Sequence, residues 1–198
     1  MELYGIFPDR ELLAEEETAL LALLPPQWRQ RAERSRDPSL RQDRLLAYGL
    51  LALALREQHG ISALPDIAAG KNGKPFFRDR PEIFFSISHT AGAALVGVHD
   101  ASIGVDVEHL RPIGKRTMER LGKGMTEEEF LRVWVRREAR AKRSGAGLAE
   151  AMGREPDMEA NEHYREVGVP EGFFAGVSFV GDSREIKLNR RTMEDILL

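Results

Sequence analysis

Apolar residues recur at helical spacing from Arg10 to Leu24, with Asp9 placed to cap the start and Pro25-Pro26 to stop the run. The pattern predicts a helix there and a short basic helix after it. A longer helix follows from about Ser39 to His59, closed by Gly60. "SALPDIAAGKNGKPFFRDRPE" reads as loop, with Asn72-Gly73 as a turn signal. "IFFSIS", "AALVGVH" and "IGVDVEHL" are short runs rich in apolar and β-branched residues, and the tight "HDAS" link, His99 to Ser102, predicts a hairpin between the last two. Thr126 and Glu129 form a T-x-x-E capping box opening a helix to about Ser144, with Gly145 as its stop. "GFFAGVSFVGDSREIKLN" adds two strands around a Gly-Asp-Ser turn, and Met152 to Val169 shows no period that assigns an element. Helices, strands, helix, strands, without regular βαβ alternation, predict an α+β fold.

Composition narrows the chemistry. With no cysteine, disulfides, thiolate metal sites and a cysteine nucleophile are excluded. A net charge of −3 over 198 residues argues against a general nucleic-acid binder. Locally, Arg29, Arg31, Arg34, Arg36, Arg41 and Arg44 crowd one stretch, either as a solvated helix face or as a surface for an anionic ligand or acidic partner. The apolar run Leu45 to Leu55 is short of the ~20 residues of a membrane span, and the first residues carry no signal-peptide pattern, so the expectation is a cytoplasmic protein.

"GVDVE" puts Asp106 and Glu108 on one face of a strand, with Val105 and Val107 on the other. Two like charges side by side repel unless water or a cation intervenes, and Mg²⁺ takes such hard oxygen ligands together with phosphates. Taken alone, D-x-E fits an exposed strand face with solvated acids better than a metal site. Leu131, Trp134, Glu138 and Lys142 share a helix stripe, which sets Glu138 at the border of a buried face; taken alone, an ordinary i, i+4 surface pair explains Glu138 and Lys142 better than a functional role. "SISHT" exposes Ser88 and His89 after an apolar strand, and "NGKP" presents Lys74 beside a rigid proline. "KRSGAG" approaches the pyrophosphate loop of acyl-CoA N-acetyltransferases, but its glycines follow a helix, where the dipole end is negative and repels phosphate.

In order, "GKPFF", "FFSISHT", "IGVDVEHLRP" and "WVRREARAKRSGAGL" resemble the signature of the 4′-phosphopantetheinyl transferases, in particular the two-half, surfactin-synthetase-activating type. That pattern reads G-K-P, S-H-S, G-[VI]-D-[VI]-E, then W-[TS]-x-K-E-[AS]-x-x-K-x-x-G-x-G-L. The resemblance covers most of the chain to about Leu148. It implies a pseudo-twofold arrangement of two similar α+β halves, 1–103 and 104–198, with coenzyme A in the cleft between them. It also implies a monomer that moves the phosphopantetheine arm of coenzyme A to a serine of an apo acyl or peptidyl carrier protein, with no nucleic acid or membrane involved. By the same resemblance Asp106, Glu108 and Glu138 hold Mg²⁺, Glu138 and Lys142 are catalytic, and Arg44, Lys74, Ser88, His89 and Lys142 hold the coenzyme. A non-catalytic relative that binds coenzyme A or a carrier protein is the alternative. The chain departs from the pattern at Arg137, where the family has lysine, and at Trp28, which replaces an expected lysine. The link from Glu108 to Glu138 also lacks the aromatic "F-F-[ST]-x-x-E" element.

Overall fold

A computed structural model describes residues 1–34, 37–147, 151–153, 155, 157–182 and 185–198, without the side chains of Arg31 and Lys71. Arg36, the Arg31 side chain, Leu148 and Ser183, which figure in the sequence reading, lie outside the described residues. The architecture is α+β, with strands β1 (Glu2–Ile6), β2 (Ile67–Ala69), β3 (Pro75–Phe77), β4 (Phe84–Thr90), β5 (Ala93–His99), β6 (Ile103–His109), β7 (Glu162–Val167), β8 (Phe173–Val180) and β9 (Lys187–Arg191). The helices are α1 (Ala14–Leu23), α2 (Pro26–Glu33), α3 (Pro38–His59), α4 (Lys115–Leu121), α5 (Glu127–Ser144) and α6 (Met193–Leu197).

Two sheets form the centre. One runs β4-β5-β1-β9, with β9 parallel to β1; the other is the antiparallel β6-β8-β7, and β2-β3 is a separate small hairpin. Alternation in the strands sorts the residues into three cores. Tyr4, Ile6, Ala94, Val96 and Val98 pack under the apolar face of α3, joined by Leu20 and Ile196. Leu3, Ala93 and Leu95, on the opposite face of the same sheet, meet Ile103, Val105, Val107, Val177 and Phe179 from the other sheet. Phe130, Leu131 and Val135 of α5 close over Phe174 on the outer face of that second sheet. Helices, sheet, sheet and helix are thus stacked, each apolar face covered by the next.

Several sequence expectations are corrected by this packing. Asp9 is exposed and does not cap α1; Glu16 does, accepting from the Leu13 amide at 2.8 Å while held bidentately by Arg10. The "HDAS" link is no hairpin, because β5 and β6 belong to different sheets, and β5 instead turns back on β4. The last two predicted strands also separate: β8 pairs with β6 and β7, whereas β9 crosses to β1. β2 and β3 occupy the stretch read as loop, and β7 the stretch left without an element. The long helix and the Thr126 helix agree closely with the sequence. Asp37 caps α3 through Ser39 and Leu40, and Thr126 and Glu129 form the reciprocal box that opens α5.

Two features fix α5 against its sheet. A side chain at Gly104 would overlap the carbonyl oxygen of Ala139 and the amide nitrogen of Arg143, so helix and strand backbones touch there. On the adjoining stripe, Arg140 and Arg143 are buried around Glu162, whose side chain is fully enclosed. Glu162 accepts from Arg140 Nε at 2.7 Å, from Ser178 Oγ at 3.1 Å and from the Glu159 amide at 3.0 Å. Burial alone would raise its pKa, but the Arg140 bond, that amide and the Arg143 and Arg140 charges together hold it down at about 2.

Two outcomes follow from these contacts. Gly104→Ala is expected to cost at least about 3 kcal/mol, because backbone atoms cannot step aside, and urea unfolding measures it. Glu162 has its folded pKa below its unfolded value of 4.5. It therefore stabilises the fold fully above that value, and the contribution fades as the pH falls toward about 2. Glu162→Gln is expected to flatten the acid limb of a stability-against-pH curve between those two values, relative to the unsubstituted chain.

Candidate functional site

The edge strands β4 and β6 run side by side but are joined by side chains rather than a backbone ladder. The hydroxyl of Ser86 accepts from the Val105 amide at 3.0 Å, and that of Ser88 from the Val107 amide at 3.3 Å. The Ser-x-Ser spacing of "SIS" puts both hydroxyls on the β6 side, since strand residues two apart share a face. Ser88 also donates to Asp106 Oδ1 at 2.8 Å, so it is bound up with the acid and only 5% exposed.

From the other side, α5 delivers Glu138 and Lys142. The Lys142 ammonium lies 2.6 Å from Asp106 Oδ1, 2.9 Å from Ser88 Oγ and 3.7 Å from Glu138 Oε2. Asp106 is 2% exposed, and its second oxygen, Oδ2, is buried with no hydrogen-bond partner among the described residues. Glu108, one turn of the pleat away on the same face, is held by Arg111 at 2.6 Å. Asp106, Glu138 and Lys142 are thus brought into direct contact, with Glu108 beside them.

The charges do not balance comfortably. Burial first, and then the Asp106 charge, push Glu138 up to about 7, against the pull of Lys142. Burial and Asp106 likewise raise Glu108, with Arg111 opposing. For Lys142 burial disfavours the charge, but Asp106 and Glu138 outweigh it and hold the ammonium above its ordinary range. Among the described residues no three His, Asp or Glu side chains converge tightly enough to ring a metal ion. The donor set nonetheless fits a hard divalent cation: Asp106 and Glu138 share one lysine, Glu108 stands beside Asp106 on the same strand face, and Glu138 and Glu108 are both shifted toward protonation.

A groove leads away from this cluster. One cavity of about 370 Å³ is lined by Lys74, Ser86, Glu138, Lys142, Gly145 and Gly147. A second, of about 240 Å³, is lined by Trp28, Arg44, Tyr48 and His89. The two share Gly73, Pro75 and Ile87 and so form one path. Arg44 lines one lobe of this path and Lys142 the other, so positive charge is spaced along it in a way that suits an elongated polyanion. Burial, then Lys142 and Arg44, lower the His89 pKa to about 4, so the ring is neutral near pH 7 in the free protein.

The groove wall is fastened to α5. Asn72 Nδ2 donates to the carbonyls of Gly145 and Ala146 at 3.0 and 3.1 Å, and Lys74 Nζ to that of Arg143 at 2.6 Å. Lys74, predicted to hold the coenzyme, is thus engaged in capping a helix C-terminus, and burial with the Arg143 charge lowers its pKa to about 8. Asn72 enters the sequence reading only as half of a turn signal, and Ser86 only as part of an apolar strand. A residue in the left-handed region, as Asn72 is at φ 56°, and the period-two serines were the available signals. The early arginines divide: Arg29 is spent on the carbonyls of Leu21 and Ala22 at the end of α1, and Arg41 pairs with Glu17, while Arg44 faces the groove. Trp28 donates to the Ile67 carbonyl at 3.0 Å and packs on Tyr48, giving an aromatic wall where the resemblance leads one to expect a lysine.

No family model matches the chain. It is similar to the 4′-phosphopantetheinyl transferase ffp of Bacillus subtilis, 31% identical over 164 residues, covering 75% of this chain and 72% of that protein. The 4′-phosphopantetheinyl transferase Sfp of Bacillus subtilis strain 168 is 27% identical over 163 residues, with the same coverage of 75% and 72%. The 4′-phosphopantetheinyl transferase AcpT of Escherichia coli K12 is 30% identical over 151 residues, covering 69% of this chain and 73% of its own. With identity and coverage of that order, and the acids and lysine of the signature gathered at one end of a groove, the chain belongs to the 4′-phosphopantetheinyl transferase family.

Proposed function

We propose that the chain transfers the 4′-phosphopantetheine moiety of coenzyme A to a serine of an apo acyl or peptidyl carrier protein, leaving adenosine 3′,5′-bisphosphate. The observation that carries this reading is the groove lined by Glu138 and Lys142 in one lobe and by Arg44 in the other, with Asp106 in contact with that lysine. Asp106, Glu108 and Glu138 would hold Mg²⁺, which when bound neutralises charge on the pyrophosphate as a Lewis acid. Lys142 adds a second positive charge at the same place and orients Asp106 through their 2.6 Å contact. Arg44 and His89 would bind phosphate oxygens, His89 as a neutral ring through its N–H donor.

Glu138, which lines the groove beside Lys142, is the group placed to accept the proton of the attacking serine hydroxyl. Ser88 and Lys74 serve the coenzyme by positioning: Ser88 orients Asp106 and Lys142, and Lys74 fixes the groove wall. The segment after β6 favours an acidic carrier surface, since Arg111, Lys115, Arg116, Arg120 and Lys123 stand between Glu108 and α5. On this reading the two halves, 1–103 and 104–198, would meet along the β4–β6 seam, with β9 crossing back to pair with β1. Among the described residues no helix is long and apolar enough to cross a membrane.

Intact-protein mass spectrometry with coenzyme A, Mg²⁺ and apo carrier proteins tests the assignment. The wild type is expected to add one phosphopantetheine per carrier, and Asp106→Ala or chelation of the metal to slow this by roughly 100-fold or more. Coenzyme A binding without transfer to any carrier would instead favour a binding-only relative. Arg44→Ala is expected to raise the KM for coenzyme A about tenfold with kcat little changed, since a charge-assisted phosphate contact made equally in ground and transition states affects binding alone.

A further inference from the structure

β7 sends Tyr164 across β8 toward the acids. Tyr164 faces Ser178 in the register, and its ring leans two residues along the neighbouring strand to lie on Gly176. A side chain built on Gly176 would come within 2.8 Å of the ring carbon Cζ and would overlap the phenolic oxygen itself. Gly176 is in turn the register partner of Asp106 on β6. The hydroxyl of Tyr164 therefore lies against the place where a side chain directly opposite Asp106 would begin. Only a residue without Cβ at position 176 permits this.

The two groups are complementary and both are unsatisfied. The Tyr164 hydroxyl and Asp106 Oδ2 are each buried without a hydrogen-bond partner among the described residues. One is a donor and the other an acceptor, and a buried polar group left unpaired is costly. Asp106 Oδ1 is drawn toward β4 by Ser88 and Lys142, while β8 lies on the other side of β6. Burial and the Glu166 charge, opposed by Arg136 and reinforced by Asp106, hold the phenol above its ordinary range, so it stays a donor.

We propose that Tyr164 is a positioning residue for Asp106: its hydroxyl, seated over Gly176, donates to Oδ2 through one bridging water and so aims Oδ1 at the cation. This rests on the reading of Asp106 as an anchor of the Mg²⁺ site. The arrangement would keep one oxygen of the carboxylate committed to the sheet while the other exchanges Lys142 for the metal.

Calorimetric titration of the full chain with Mg²⁺ in the presence of coenzyme A tests it, beside Tyr164→Phe and Asp106→Asn. Tyr164→Phe is expected to weaken Mg²⁺ binding about tenfold while leaving metal-free coenzyme A affinity and the melting temperature near those of the wild type. Only three tyrosines are present, so the near-ultraviolet difference spectrum on adding Mg²⁺ is expected to show a tyrosine band that Tyr164→Phe removes. Gly176→Ala, which displaces the hydroxyl but keeps the phenol, is expected to weaken Mg²⁺ binding in the same way. If Tyr164→Phe binds Mg²⁺ like the wild type while Asp106→Asn does not, the hydroxyl only packs and the proposal is overturned. If Asp106→Asn also binds Mg²⁺ like the wild type, the cation site itself lies elsewhere and the proposal falls with it.

Discussion

The direct contact of the α5 backbone with β6 at Gly104 is the constraint on which the site depends. Helix and sheet are normally separated by the side chains between them. Here the missing Cβ lets the helix settle onto the strand, with the Ala139 carbonyl and Arg143 amide against Gly104. Glu138 and Lys142 flank that contact in sequence, so their reach to Asp106 is set by it. A larger separation would leave Lys142 short of Asp106, and the lysine would then keep only Glu138, its neighbour on the same helix, to offset its burial. Site electrostatics thus rest on a packing distance.

The opposite stripe of α5 holds the helix in rotation. Arg136 and Arg140 share Glu155, at 2.9 and 3.0 Å, and Arg140 and Arg143 converge on Glu162. Such a buried network is a weak source of net stability, because desolvation offsets much of the attraction, but removing one partner strands the others. Its effect is directional: the guanidinium forks match the carboxylates in only one orientation of the helix. Turning α5 to satisfy them is what presents Glu138 and Lys142 to the groove.

Much of this was legible in the sequence where the signals are local. The capping box at Thr126, the stop at Gly145 and the long helix to Gly60 all depend on neighbours a few residues away, and the structure agrees with each. The shared face of Asp106 and Glu108 follows from the period of a strand and needs no tertiary knowledge. Strand partners were not legible: "HDAS" has the length of a hairpin link, but only the packing of Leu3 and Leu95 against Val105 shows that it crosses between sheets. Ser88 and Lys74 were identified as important residues, yet their immediate partners, Asp106 and the Arg143 carbonyl, lie 18 and 69 positions away. Short-range patterns carry no information at that distance. Glu138 and Lys142 show the limit most clearly, since their spacing is that of an ordinary surface pair and only the opposing strand makes it a site.

The attachment of the Asn72–Lys74 turn to the end of α5 has a consequence for how a ligand enters. The same helix that carries Glu138 and Lys142 also clasps the opposite wall, through main-chain oxygens of Arg143, Gly145 and Ala146 at its end. The width of the slot is therefore dictated by hydrogen-bond lengths rather than by rotamer choice, and its two sides travel together. A guest molecule meets a rigid mould, and the loss of freedom on association falls on the guest rather than on the host.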